Sequence, residues 1–319
     1  MQVVIEQFQA FGTPPLPTLS PAQARMTPSV TDAVKTLLAK NGREPNEPNL
    51  TVSQRVVPGG PMGAPQGILL RIYTPQGQTG ALPVIVYYHG GGWVIAGLNT
   101  YEPSAKALAD KAGAIVVSVD YRQAPENKFP AAHEDAYAAY KWVKENAATI
   151  NGDPAKVAVA GESAGGNMAA AVCILARERG LALPVHQLLV YPVANNDLTT
   201  ASYNAYANAV PLNRPAVEWF VANYFNSPAD GDNRLISLVD VADLKGLPSA
   251  TIIGAEIDPL QTEGKLLSDR FQQAGVAVTY QLYTGVTHEF FGTHDLVPEA
   301  GQAQDLAATE LKKAFGTGN

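Results

Sequence analysis

The apolar run KVAVAG ends in Gly161-Glu162-Ser163-Ala164-Gly165, and the small-residue segment GNMAAAVCILA follows. A serine between two glycines at a strand-to-helix turn has a specific chemical use. The turn is tight and strained, so it needs glycine on both sides. It lifts the serine Oγ above the sheet, and the helix behind it favours negative charge near that oxygen. Such a serine is a candidate nucleophile. The pattern is weak alone, because Gly and Ser are common, and its position between a strand and a helix strengthens it. Upstream, the run PVIVYY ends in His89-Gly90-Gly91-Gly92-Trp93. Three glycines leave backbone N–H groups unshielded, as stabilisation of a developing oxyanion requires. A flexible loop or a phosphate-binding turn would use glycines too, but a phosphate loop usually adds Gly-Lys-Ser/Thr, and no lysine follows here.

A serine nucleophile needs a base and a group that orients the base. After such an elbow the order is serine, acid, histidine, with the last two at the ends of late strands. The run SATIIGA leads to Glu256, Ile257 and Asp258, and Pro259 then opens a helix. Asp258 is preferred to Glu256 because it directly precedes that proline; its plainer role would be a helix cap. The run AVTYQLY leads to Gly285, Val286, Thr287 and His288. His294, past that loop, is the weaker base. His133 and His186 precede Asp258 and read as structural, and His89 reads as a brace for the glycine loop.

These residues need a frame. Short apolar runs at 67–73, 83–89, 114–120, 156–161, 186–192, 249–255 and 277–283 alternate with helix-like segments near 101–112, 131–150, 164–180, 259–275 and 298–315. Continuous apolar strands with helical crossovers predict an α/β fold with a mostly parallel sheet covered on both faces. Residues 51–57 precede the next strand without a helix and fit an antiparallel start. Residues 29–41 have helical spacing, and 12–28 read as irregular. From Ala194 to Asp243 about fifty residues interrupt the rhythm, with helix-like stretches at SYNAYANAV and PAVEWFVANYF. Open α/β sheets bind ligands beyond the carboxyl ends of their strands, so this insertion is placed to roof a site.

Composition narrows the partners. With 22 Lys and Arg against 29 Asp and Glu, the net charge is −7, and no basic cluster offers a nucleic-acid surface. No apolar run approaches the ~18 residues of a membrane span. The first residues, with Glu6 and no Lys or Arg, do not read as a signal peptide. The single cysteine, Cys173, excludes an internal disulfide and disfavours a cysteine metal site. A cytoplasmic protein is the expectation.

Four blocks in order now carry a resemblance: HGGGW at 89–93, DYRQAPE at 120–126, GESAGGN at 161–167, and DPL at 258–260 with GVTHEF at 285–290. The chain resembles the hormone-sensitive-lipase family of esterases, the bacterial family IV carboxylesterases of the α/β-hydrolase fold. Glu162 stands where that family's GDSAG branch has aspartate, Gln123 where leucine is common, and QTEG at 261–264 departs from the usual pattern. The resemblance implies one α/β-hydrolase domain over residues 1–319. A cap would come from about 1–45 and 195–235. Ser163 would be nucleophile, His288 general base and then acid, and Asp258 its orienter. The amides of Gly91, Gly92 and Ala164 would form the oxyanion hole. No cofactor or metal would be required, and the substrate would be a small ester of short to medium acyl chain. The same triad also serves amidases and deacetylases. A non-catalytic binding protein on this fold loses its histidine, whereas Ser163, Asp258 and His288 are all present. Trp93, Tyr191 and Leu212 are the expected substrate contacts. Other cap candidates are Phe8, Phe11, Tyr203, Tyr206, Trp219, Phe220 and Tyr224, each of which could equally pack the cap onto the body. Asp120, Tyr121 and Arg122 are expected to form a buried ion-pair network. Relatives often pair through the last strand, and AVTYQLY, an edge without charge, predicts a homodimer.

Overall fold

The computed structural model describes residues 1–60 and 63–318. Eight strands form one sheet: β1 (Leu50–Val57), β2 (Ile68–Pro75), β3 (Leu82–Tyr88), β4 (Ile115–Asp120), β5 (Gly152–Glu162), β6 (Gln187–Val190), β7 (Ala250–Ile257) and β8 (Val278–Thr287). Their order is β1-β2-β4-β3-β5-β6-β7-β8. β2 runs antiparallel to both neighbours, and the pairs from β4 to β8 are parallel. The α/β reading and the antiparallel start both stand.

Alternation along the strands explains the two covered faces. In β3, Val84, Val86 and Tyr88 join one core cluster, and Ile85 and Tyr87 join another. The first is closed by helices Ala131–Asn146, Ala164–Glu178 and Gln261–Gln273. The second is closed by Glu102–Ala112 and Pro298–Phe315. All seven residues of β3 are buried, which is why it reads as an unbroken apolar run.

Two segments lie apart from this body. The stretch after β6 holds helices Ala201–Ala205 and Arg214–Tyr224, so SYNAYANAV yields one short turn of helix and PAVEWFVANYF a full one. The N-terminal segment holds helix Gln2–Gln9, which periodicity did not indicate, and Val30–Lys40, which it did. Residues 12–28 are less irregular than expected. Ser20 and Gln23 exchange hydrogen bonds in a capping box that starts the one-turn helix Pro21–Ala24. The two segments meet each other: Leu16 packs against Tyr203, Leu212 and Val217, and Trp219 Nε1 donates to the Leu19 carbonyl at 3.2 Å. Arg25 pins the N-terminal segment to the body, donating to the carbonyls of Val94 at 2.8 Å and Ala124 at 2.6 Å. Among the described residues no helix is long and apolar enough to cross a membrane.

The expected ion pair has a different acid. Arg122 pairs with Asp135, not with Asp120. The fully buried Asp135 carboxylate accepts from Arg122 Nε at 2.8 Å, Arg122 Nη2 at 2.9 Å, the Arg122 amide at 3.0 Å and the Ala64 amide at 3.0 Å. Tyr121 turns away and donates to the His89 carbonyl at 2.9 Å. Asp135→Ala removes the carboxylate that pairs with the partly buried Arg122 guanidinium and the acceptor of two amides, so urea unfolding should show a loss of about 3 kcal/mol. A loss below about 1 kcal/mol would mean the pair does not anchor this corner.

Candidate active site

Ser163 sits between β5 and helix Ala164–Glu178 with φ +56° and ψ −119°. Positive φ is costly for a serine, and the surroundings enforce it. A Cβ on Gly161 would lie 2.1 Å from the Gly165 carbonyl oxygen, and one on Gly165 would lie 2.0 Å from the Tyr88 carbonyl oxygen. Neither position admits a side chain. The same crossing presses the end of β3 against the elbow, which brings the glycine loop beside Ser163. Gly91 and Gly92 have φ of +95° and +59°. The ring of Phe220 lies over Gly92, at 2.3 Å from where a Cβ would stand. Among the described residues the N–H groups of Gly91 and Gly92 have no acceptor. The Ala164 amide is the first of its helix and has no acceptor within it.

His288 and Asp258 arrive from the ends of β8 and β7, which pair in parallel. His288 Nδ1 lies 2.6 Å from Asp258 Oδ2. The other oxygen, Oδ1, accepts from the Leu260 amide at 2.9 Å. The next helix starts at Gln261 with Leu260 as its N-cap and no side-chain cap bond, so Asp258 braces the turn before that helix and does not cap it. Glu256 does something else: it accepts from the Gly285 amide at 2.7 Å, tying the strand that carries Asp258 to the loop that carries His288. Burial alone would lower the His288 pKa; the Asp258 carboxylate, with help from Glu289 and Glu162, overrides it and leaves the imidazole above its ordinary 6.5.

The remaining histidines lie where the sequence reading put them. His89 braces the glycine loop, with Nδ1 at 2.7 Å from the Gly90 carbonyl and its ring stacked on Tyr121. His133 bridges Tyr224 at 2.8 Å and Asn167 at 2.9 Å, and His186 lies between Ser249 and Thr251. Burial pushes all three down to about 4, so they are neutral at pH 7. His294 lies against Gln304.

Ser163, His288, Gly91 and Gly92 open into one cavity of about 720 Å³ beneath the N-terminal segment and the insertion. Leu212 lines it as expected, and so do Phe8, Tyr203 and Phe220. Tyr191 does not line it. Its hydroxyl donates to the buried Glu162 at 2.5 Å, and its ring packs 4.4 Å from that of His288. It supports the imidazole from behind, so its expected substrate contact is withdrawn. Trp93 borders the cavity, but its indole is 2 % exposed and stacks on Tyr224 at 4.5 Å, which props the insertion helix. Phe11, Tyr206 and Trp219 lie off the cavity wall.

Glu162 accepts from Tyr87 and Tyr191, both at 2.5 Å, and burial together with Glu289 pushes its carboxyl up to about 7. Among the cavity residues that sequence reasoning passed over, one is acidic and adjoins the imidazole. Glu289 follows His288 and lies on the wall, held by Tyr101. Its position in GVTHEF was the available signal.

Residues 85–292 match a family model described as the alpha/beta hydrolase fold. The chain is 42 % identical to the Mycobacterium tuberculosis carboxylesterase NlhH, over 78 % of this chain and 79 % of that protein. It is 34 % identical to the ethyl acetate hydrolase of Pseudomonas putida, over 76 % and 78 % respectively. A solved esterase from Pyrobaculum calidifontis is 37 % identical and superposes with a TM-score of 0.85, covering 96 % of this chain and 97 % of that one. The chain belongs to the α/β-hydrolase family, in the hormone-sensitive-lipase branch. Its relatives place it among the carboxylic ester hydrolases.

Proposed function

We propose that this protein hydrolyses short- to medium-chain acyl esters through an acyl-enzyme on Ser163. The observation that carries the reading is the Asp258–His288 pair at 2.6 Å opening into the same cavity as Ser163 and the glycine loop. Asp258 holds Nδ1, which leaves Nε2 of His288 to take the serine proton as Oγ attacks the ester carbonyl. The carbonyl oxygen gains charge and is met by the amides of Gly91, Gly92 and Ala164; losing one such donor typically costs roughly 3 kcal/mol. His288 then protonates the departing alcohol, and water repeats the sequence on the acyl-enzyme. Leu212, Phe8 and Phe220 supply the apolar wall for the substrate. The cap in this reading is drawn from residues 1–45 and 195–235, above a single catalytic domain.

Across p-nitrophenyl esters of increasing acyl length, kcat/KM should peak at short or medium chains. Ser163→Ala should lower it by a factor on the order of 10⁵ or more. A peak at long chains would overturn the acyl assignment, and a Ser163→Ala variant of near wild-type rate would overturn the nucleophile. The pH profile follows from the raised His288. A protonated imidazole cannot act as base, so kcat/KM should fall as pH drops, with a midpoint above 6.5. A flat profile down to pH 4 would remove His288 from the role.

We also propose a homodimer through β8, which is the edge strand of the sheet and carries no charge along Val278–Tyr283. Light scattering at micromolar concentration should give twice the 33.7 kDa chain mass, and a monomer mass would exclude the pairing.

A further inference from the structure

The reaction proposed above leaves one acidic side chain on the cavity wall without a task. Glu289 has φ +70°, uncommon for a residue with a side chain. Its carboxylate is fixed, because Tyr101 Oη donates to Glu289 Oε1 at 2.5 Å. That same oxygen lies 4.0 Å from His288 Nε2. The side chain keeps 24 % exposure, and Glu289 lines the cavity. Since Nδ1 of His288 is committed to Asp258, Nε2 is the nitrogen that returns a proton to the departing alcohol. Glu289 therefore stands beside the path of the leaving group rather than the acyl group.

The other charges on the wall do not cancel it. Arg25 is paired with Glu126 at 2.7 Å. Asp32 and Lys35 are exposed, opposite in sign, and close together on helix Val30–Lys40. Burial raises the Glu289 carboxyl above its ordinary value, with His288 and Tyr101 acting against the rise. The aromatic ring of Phe220 lies across the same cavity, over Gly92, and offers a second surface that attracts cations.

The geometry points to Glu289 as a specificity residue that favours esters whose alcohol half carries a positive charge, such as amino-alcohol or quaternary-ammonium alcohol esters. The inference rests on the esterase reading. The bond broken is the ordinary acyl C–O bond. The acyl group passes to Ser163 and then to water, and the cationic alcohol leaves with the proton from His288.

The test compares acetylcholine with its uncharged carbon isostere, 3,3-dimethylbutyl acetate, at pH 8, in the wild type and in Glu289→Gln. The readout is the ratio of the two kcat/KM values in each enzyme. Any effect of the substitution on His288 enters both esters and cancels. The ratio of cationic to neutral ester should fall about fivefold on Glu289→Gln, as expected for one partly exposed charge pair. In the wild type it should also fall as salt is raised. A ratio unchanged in Glu289→Gln overturns the inference while the esterase reading stands. Should the variant fail to fold, a wild-type ratio indifferent to salt overturns it equally. If neither ester is turned over while p-nitrophenyl acetate is, the inference falls and the esterase reading stands; if p-nitrophenyl acetate is not turned over either, both fall.

Discussion

Beneath Ser163, Gly161, Gly165 and the carbonyl of Tyr88 approach so closely that no side chain fits between them. Much of the site depends on this contact. It forces the serine into positive φ and holds β3 against the start of helix Ala164–Glu178. It thereby brings two separate segments, the glycine loop after β3 and the first amide of that helix, to the same side of the serine. A turn stored in strain of roughly 1–3 kcal/mol persists only where its surroundings over-determine it. Here they do, through the buried strands β3, β5 and β6 and the bonds from the Ser163 amide to Val190 and from Val193 to the Ser163 carbonyl.

The second constraint is charge in a buried place. Asp258, Glu162, Glu263 and Glu289 all lie near the imidazole or the elbow, and each has donors. Asp258 has His288 and the Leu260 amide, Glu162 has two tyrosines, Glu263 has the Ala194 amide, and Glu289 has Tyr101. Isolated carboxylates here would be costly. Of these, Asp258 holds the imidazole in one orientation, and together with Glu289 and Glu162 it biases the ring toward taking a proton. The phenols of Tyr87 and Tyr191 are part of that arrangement rather than of the substrate surface, whereas Tyr101 also lines the cavity.

Those parts of the fold and site that rest on local rules were legible in the sequence. Buried parallel strands are short apolar runs, and elbows need glycine, so β3, β5 and the turn at Ser163 could be read directly. Asp258 and His288 could be placed because each follows such a run. What was not legible depends on packing between distant segments. Asp135 lies on a helix whose charges look like a solvated face, and only the fold brings it to Arg122. Helix Gln2–Gln9 has no side-chain cap and only eight residues, so its stability comes from Val4 packing into the core that holds Val34 and Leu38. An aromatic residue after β6 suggests a pocket wall; Tyr191 turned inward because Glu162 requires a donor.

The central claim is that Ser163, the glycine loop and the first helical amide form one preorganised site. The most direct test is a crystal structure of the protein after reaction with a p-nitrophenyl alkylphosphonate, whose tetrahedral phosphorus mimics the acyl-transfer intermediate. The account predicts phosphorus bonded to Ser163 Oγ, with one phosphonyl oxygen about 2.7–3.1 Å from the amide nitrogens of Gly91, Gly92 and Ala164. Phosphorus on another residue, or an oxygen turned away from those amides, would contradict it.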